Sequence, residues 1–125
     1  MRPETEVAGL LWDAVEFAQN ARLAVGDTPL DEYLAGGPVA WATERQMELI
    51  GEALSKLRRI DPALAERVPN VHQIIAMRNV LIHGYLIVNG RVVWLAATQL
   101  IPGLIPILKA LLAEVDPENS GSADE

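Results

Sequence analysis

Apolar residues recur at three- and four-residue steps along most of this chain, the spacing that gathers them on one face of an α-helix. Val7, Leu10, Leu11, Ala14, Phe17, Ala18, Ala21 and Val25 keep that spacing up to Gly26. Pro3, Glu4 and Glu6 suit a helix start, so a first long helix is predicted there. Thr28-Pro29-Leu30-Asp31 has the form of a capping box, predicting a short helix through Tyr33 and Leu34 that stops at Gly36-Gly37-Pro38. Between Val39 and Ile60, Met47, Ile50, Leu54 and Leu57 make an apolar stripe, and Glu44, Glu48, Glu52 and Lys56 occupy another face. This predicts a second long helix. Asp61-Pro62 opens a short turn of helix that ends at Pro69-Asn70. Asn70 and Gln73 form a second capping-box pattern ahead of Val71, Ile74, Ile75, Leu81 and Ile82, with Gly84 as the stop.

Two readings fit the next segment. Tyr85 to Trp94 places β-branched and aromatic residues on both sides of Asn89-Gly90, a hairpin signal. Alternatively Asn89 caps a helix that runs from Gly90 to Glu114 and bends near Pro102 and Pro106. Local rules lean to the hairpin, whereas the helical character of the other segments and the marginal stability of a lone hairpin lean to the helix. Val92 to Leu108 is uncharged and close to the length of a membrane span. Thr98, Gln99, Pro102, Gly103 and Pro106 interrupt it, and it reads as a buried or interface helix with no membrane partner.

A length of 125 residues fits one domain, and 50% hydrophobic with 22% charged residues is the balance of a folded protein. One helical domain is expected over residues 1–115, followed by an acidic, disordered tail at 116–125. With no cysteine there are no disulfides or thiolate metal sites, and the N-terminal residues do not resemble a secretory signal, so a cytoplasmic location is expected. The net charge of -7 argues against broad electrostatic binding of nucleic acid. The cations nevertheless concentrate around Arg45, Lys56, Arg58, Arg59, Arg67, Arg78 and Arg91, which leaves room for a local cationic groove.

The chemistry concentrates in Arg78-Asn79-Val80-Leu81-Ile82-His83-Gly84-Tyr85, which holds one of only two histidines. Arginine offers a fixed fork of donors to a phosphate, and histidine moves protons near neutral pH. Together they suit metal-free RNA cleavage, in which the ribose 2′-hydroxyl attacks phosphorus and needs a base, an acid and a cation. One Arg and one His per chain are few for three roles, which hints at a composite site across a two-fold dimer. By itself an Arg and a His five residues apart is a weak pattern, read more readily as a surface Arg and a structural His. His72 reads as structural or exposed. Trp12, Trp41 and Trp94 read as core or interface anchors, and the Glu44, Glu48 and Glu52 row as a solvated face or groove wall. No metal and no cofactor are expected.

The octapeptide resembles the R-N-x-x-x-H motif of the HEPN superfamily, and its continuation to Tyr85 resembles the R-x-x-x-x-H-x-Y form of HepT toxins. Met47 to Ala53 is similar to the family's Ile-Gly-Glu-Ala block, and Val92-Val93-Trp94 with Pro102 to Leu112 is similar to its Val-Trp and Leu-Pro ending. The resemblance covers roughly Leu10 to Leu112 and decides the Asn89-Gly90 question for helix. It implies an all-α, HEPN-type antiparallel bundle of about four to five helices that forms a homodimer. It further implies the toxin of a type VII toxin–antitoxin system, a metal-independent endoribonuclease with Arg78 and His83 catalytic and Asn79 supporting. Tyr85 would be the tyrosine to which a minimal nucleotidyltransferase antitoxin, MntA-like, attaches AMP. Gly84 and His72 depart from the common pattern, where an acidic residue and Trp are frequent. The rival expectation is a non-catalytic helical partner that binds a nucleotidyltransferase or nucleotide.

Overall fold

A computed structural model of the chain describes residues 1–84 and 88–117. The long elements are α1 (Glu6–Val25), α3 (Pro38–Ile60), α5 (Val71–His83) and a final rod. That rod is made of α6 (Gly90–Leu95), a π-helical turn (Ala96–Leu100) and α7 (Ile101–Val115). Short helices α2 (Leu30–Leu34) and α4 (Pro62–Glu66) join them, so the bundle is all-α, as expected, with two connecting helices added to four long elements.

α3 packs against α1 on one side and α5 on the other, and α1 also packs against α7. Gly51 meets Arg78 and Arg58 meets His72, so α3 and α5 run antiparallel. The core is what the apolar periodicity outlines. Leu11, Ala14 and Ala18 of α1, Met47, Ile50, Leu54 and Leu57 of α3, Ile74 of α5, and Ile101, Leu104 and Leu108 of α7 are essentially inaccessible. Burying each of the larger ones contributes about 1.5–3 kcal/mol.

The rod from Gly90 settles the hairpin question for helix. Asn89 Oδ1 accepts from the backbone N–H of Arg91 at 3.0 Å and of Val92 at 3.4 Å, a side-chain N-cap. The expected bend shifts, however. Pro102 has no N–H to offer the Thr98 carbonyl, and the chain adapts one turn upstream, where the Ile101 N–H reaches back to the Ala96 carbonyl and widens the helix to π. Pro106 sits inside α7 without ending it. The rod is long and apolar enough to cross a membrane by length and composition, yet its Val93, Ala97, Ile101, Leu104 and Leu108 face the core.

Other local expectations are corrected. α2 begins at Leu30 with no side-chain cap from Thr28, and Asn70 makes no capping bond. Asn70 instead takes a left-handed turn at φ 61°, a conformation asparagine tolerates, to swing the chain from Pro69 into α5. Asp61 is a true cap, accepting from the Leu64 N–H at 3.1 Å. Trp41 is no core residue: its relative exposure is 68%. Trp94 does anchor, donating from its indole to the Thr28 carbonyl at 2.8 Å.

Candidate active site

α5 carries the motif, and its closest approach to α3 lies at Arg78. A Cβ built on Gly51 would overlap the Cβ of Arg78, come within 2.9 Å of its Cγ and 3.2 Å of the Ile74 carbonyl. Glycine at this position therefore lets the two helices come together where the arginine leaves the backbone. The guanidinium Nη1 donates to Asn79 Oδ1 at 2.9 Å. The Arg78 Nε is buried and has no hydrogen-bond partner. A buried donor on a cation without an acceptor is costly unless an incoming anion supplies one.

Asn79 and His83 stand one helical turn apart on α5, on the same exposed face. Arg78 and Asn79 are thus brought together by a hydrogen bond. His83 lies in the last turn of α5 without a hydrogen bond to either of them among the described residues, about 7.5 Å farther along the axis than Arg78. Gly84 follows with φ -116°, so its backbone does not use the left-handed freedom of glycine. Its N–H bonds back to the Val80 carbonyl at 2.7 Å. Tyr85 lies outside the described residues.

The second histidine, read from the sequence as structural or exposed, is exposed and linked. Arg58 Nη1 lies 2.9 Å from His72 Nδ1, and His72 Nε2 lies 2.6 Å from Glu66 Oε1. Nothing in the sequence periodicity signals this link, because its partners come from α3, α4 and α5. The glutamate row is half-buried and in part paired: Glu48 with Arg45 at 3.2 Å and Glu52 with Lys56 at 3.5 Å. Burial, and then the neighbouring Glu48, pushes the Glu44 carboxyl above its ordinary value. Among the described residues no three His, Asp or Glu side chains are placed to hold a metal ion.

An apolar cleft of about 490 Å³ opens on the other flank of α5, lined by Met77, Val80, Leu81, Val88, Val92 and Ala96 among others, and contains neither Arg78 nor His83. Val80, Val92 and Leu95 beside it are large apolar side chains left exposed in the single chain.

Compared with known proteins, residues 16–111 match the family model described as HepT-like, ribonuclease HepT-like. Two Methanocaldococcus jannaschii proteins whose names assign them provisionally as RNases are similar over most of their length. One is 23% identical over 122 residues, covering 96% of this chain and 98% of that protein. The other is 28% identical over 99 residues, covering 78% of this chain and 88% of that protein. No solved structure matches the chain.

Proposed function

Because this chain belongs to the ribonuclease HepT-like family, we propose that it is an endoribonuclease, the toxin of a toxin–antitoxin pair, working without a metal at a site built around Arg78 and His83. The single observation that carries the reading is the Arg78 guanidinium, held by Asn79 with its Nε buried and unpartnered, on the helix whose last turn exposes His83. A phosphate docked against the guanidinium balances its charge. His83 then takes the proton from the 2′-hydroxyl or returns one to the 5′-oxygen, while Arg78 stabilises the charge that grows on the non-bridging oxygens.

One chain offers only one of each group. The exposed Val80, Val92 and Leu95 support a homodimer that brings a second Arg78 and His83 to the same substrate. Tyr85 is the residue we assign to control by AMP attachment from an MntA-like nucleotidyltransferase. The chain has two tyrosines, and Tyr33, at 3% relative exposure, is closed to modification. Its hydroxyl is pushed up to about 12 by burial and then by Glu44, a poor nucleophile at neutral pH.

The test is cleavage of total cellular RNA by the purified chain in excess EDTA, with product ends identified. The expected product carries a 2′,3′-cyclic phosphate. His83→Ala, at an exposed position, and Arg78→Ala, at a half-buried one beside Gly51, are expected to keep the parent's melting temperature within a few degrees and lose on the order of 100-fold or more of the rate. A strict need for a divalent metal, or a His83→Ala protein as active as the parent, overturns the reading. Growth arrest on expression that His83→Ala relieves separates it from a non-catalytic partner role.

A further inference from the structure

Four of the chain's cations are engaged directly by carboxylates: Arg2 by Asp13, Arg45 by Glu48, Lys56 by Glu52 and Arg67 by Glu114. Two arginines are held differently. Arg78 donates to the neutral amide of Asn79 and Arg58 bonds to an imidazole, so among the described residues neither charge is cancelled by a bonded carboxylate. Both emerge at the seam between α3 and α5.

The hydrogen-bond roles around His72 follow from its partners. Arginine can only donate, so Nδ1 must accept, and the neutral ring then donates its Nε2 proton to Glu66. Glu66 thereby selects the tautomer that orients Arg58 without neutralising it. Only Nη1 of that guanidinium is occupied by this contact, and among the described residues the remaining donors of its fork have no bonded partner.

The two holding residues are aligned. His72, Asn79 and His83 stand at positions i, i+7 and i+11 of one helix, which places them on one stripe, and all three are exposed. Ala76, also exposed, leaves the stripe low between His72 and Asn79. From residue 72 to residue 79 the axis advances about 10.5 Å. A stacked nucleic-acid strand advances about 3.4 Å per phosphate, so this interval spans about three backbone steps.

We propose that this stripe of α5 is the track for a single RNA strand, and that Arg58, oriented by His72 and Glu66, grips a phosphate some nucleotides away from the one cleaved at Arg78 and His83. The inference rests on the ribonuclease reading and extends it from a cleavage point to a binding path. On a chain of net charge -7, RNA is held by local arginines or not at all, because the overall field repels it.

The experiment measures binding apart from cleavage. Fluorescence anisotropy of a labelled single-stranded RNA is followed against salt concentration in the full-length His83→Ala protein, with and without Arg58→Gln. Arg58→Gln is expected to weaken binding roughly three- to tenfold and to flatten the salt dependence by about 0.7 in log–log slope, the loss of one phosphate contact. Arg22→Gln, the same change of charge on the last turn of α1, is expected to leave both values at the parent's. Arg58→Lys keeps a charge but not the fork, and is expected to keep the salt slope while losing part of the affinity. Equal binding with and without Arg58→Gln, an equal loss from Arg22→Gln, or no RNA binding by the parent each overturns the proposal. Cleavage by a parent whose binding ignores Arg58 leaves the ribonuclease reading standing alone. Arg58-dependent binding by a protein that cannot cleave does the reverse.

Discussion

Tyr33 and Tyr85 differ in what surrounds the same hydroxyl. Tyr33 Oη is buried and finds no hydrogen-bond partner, so only its ring contributes usefully, by filling space between α2 and the start of α6 at Gly90. Tyr85 follows the motif histidine by two positions and is the acceptor in the proposed control by AMP attachment. Tyr85→Phe removes the one oxygen that such a transfer needs. Co-expressed with an MntA-like nucleotidyltransferase, the parent is expected to gain the mass of AMP and be neutralised, whereas the Phe variant is expected to stay unmodified and toxic. Intact-mass measurement decides, and modification persisting in the variant rejects the assignment. Glu44 offers a second single-residue test, in stability. Its carboxyl sits above its ordinary value through burial and then the charge of Glu48, so the ionised form is less stable folded than unfolded. Glu44→Gln is expected to raise stability slightly at neutral pH, a small gain because solvent screens this half-exposed group. The sign follows from the raised folded value: the gain is full above it and disappears as pH falls through the ordinary carboxylate range, where both states protonate. Denaturant melts of the two proteins across that range measure it, and a gain that grows toward acid rejects the cause.

Between elements, the two helical glycines whose added Cβ would come nearer than 3.0 Å to a neighbour behave oppositely. Replacing glycine by alanine inside a helix contributes up to about 1 kcal/mol of propensity. At Gly9 the added methyl meets only the guanidinium end of Arg2, which can swing away at the cost of its exposed pair with Asp13. Gly9→Ala is therefore expected to be neutral or slightly stabilising. At Gly51 the methyl meets the Cβ and Cγ of Arg78 and the carbonyl of Ile74, atoms fixed to the α5 backbone. Forcing α3 and α5 apart costs about 1–3 kcal/mol and outweighs the propensity. Gly51→Ala is expected to lower the melting temperature by several degrees and to impair cleavage more than Gly9→Ala does, since it displaces the arginine itself. Thermal melts and initial rates on the two variants check both signs. A Gly51→Ala protein with higher stability and full activity would show that the helices are not held this closely.

At the scale of the whole molecule, the single chain presents two unfinished surfaces. One is the exposed stripe of α5 that ends at His83, to which we assign cleavage together with Arg78. The other is the apolar cleft with Val80, Val92 and Leu95 along its rim. They adjoin at Ala76, while His72, Asn79 and His83 do not line the cleft, so a partner chain seated on it can leave those three open to RNA. Light scattering is expected to give twice the chain mass at micromolar concentration. Val92→Asp, placing a charge on the apolar rim, is expected to shift the protein to monomer and lower cleavage together. A parent that is a stable monomer and cleaves RNA rejects the composite site.

Residue pattern alone makes the chain a helical bundle, outlines its first three long helices and most of their core positions, and puts Arg78, Asn79 and His83 at the end of one helix, while the segment around Asn89-Gly90 stays open between hairpin and helix until the resemblance decides it. Periodicity and motif are properties of neighbouring residues, and a helix repeats them faithfully because each turn depends on the turn before it. Only the tertiary structure decided that Gly51 lies under Arg78, that Arg58 docks on His72 across the seam, that Trp41 stands in solvent, and that the last rod widens before Pro102. Each of these depends on how side chains of separate helices share volume and donors where the helices cross. That competition is settled by packing across the bundle, which no local pattern of residues encodes.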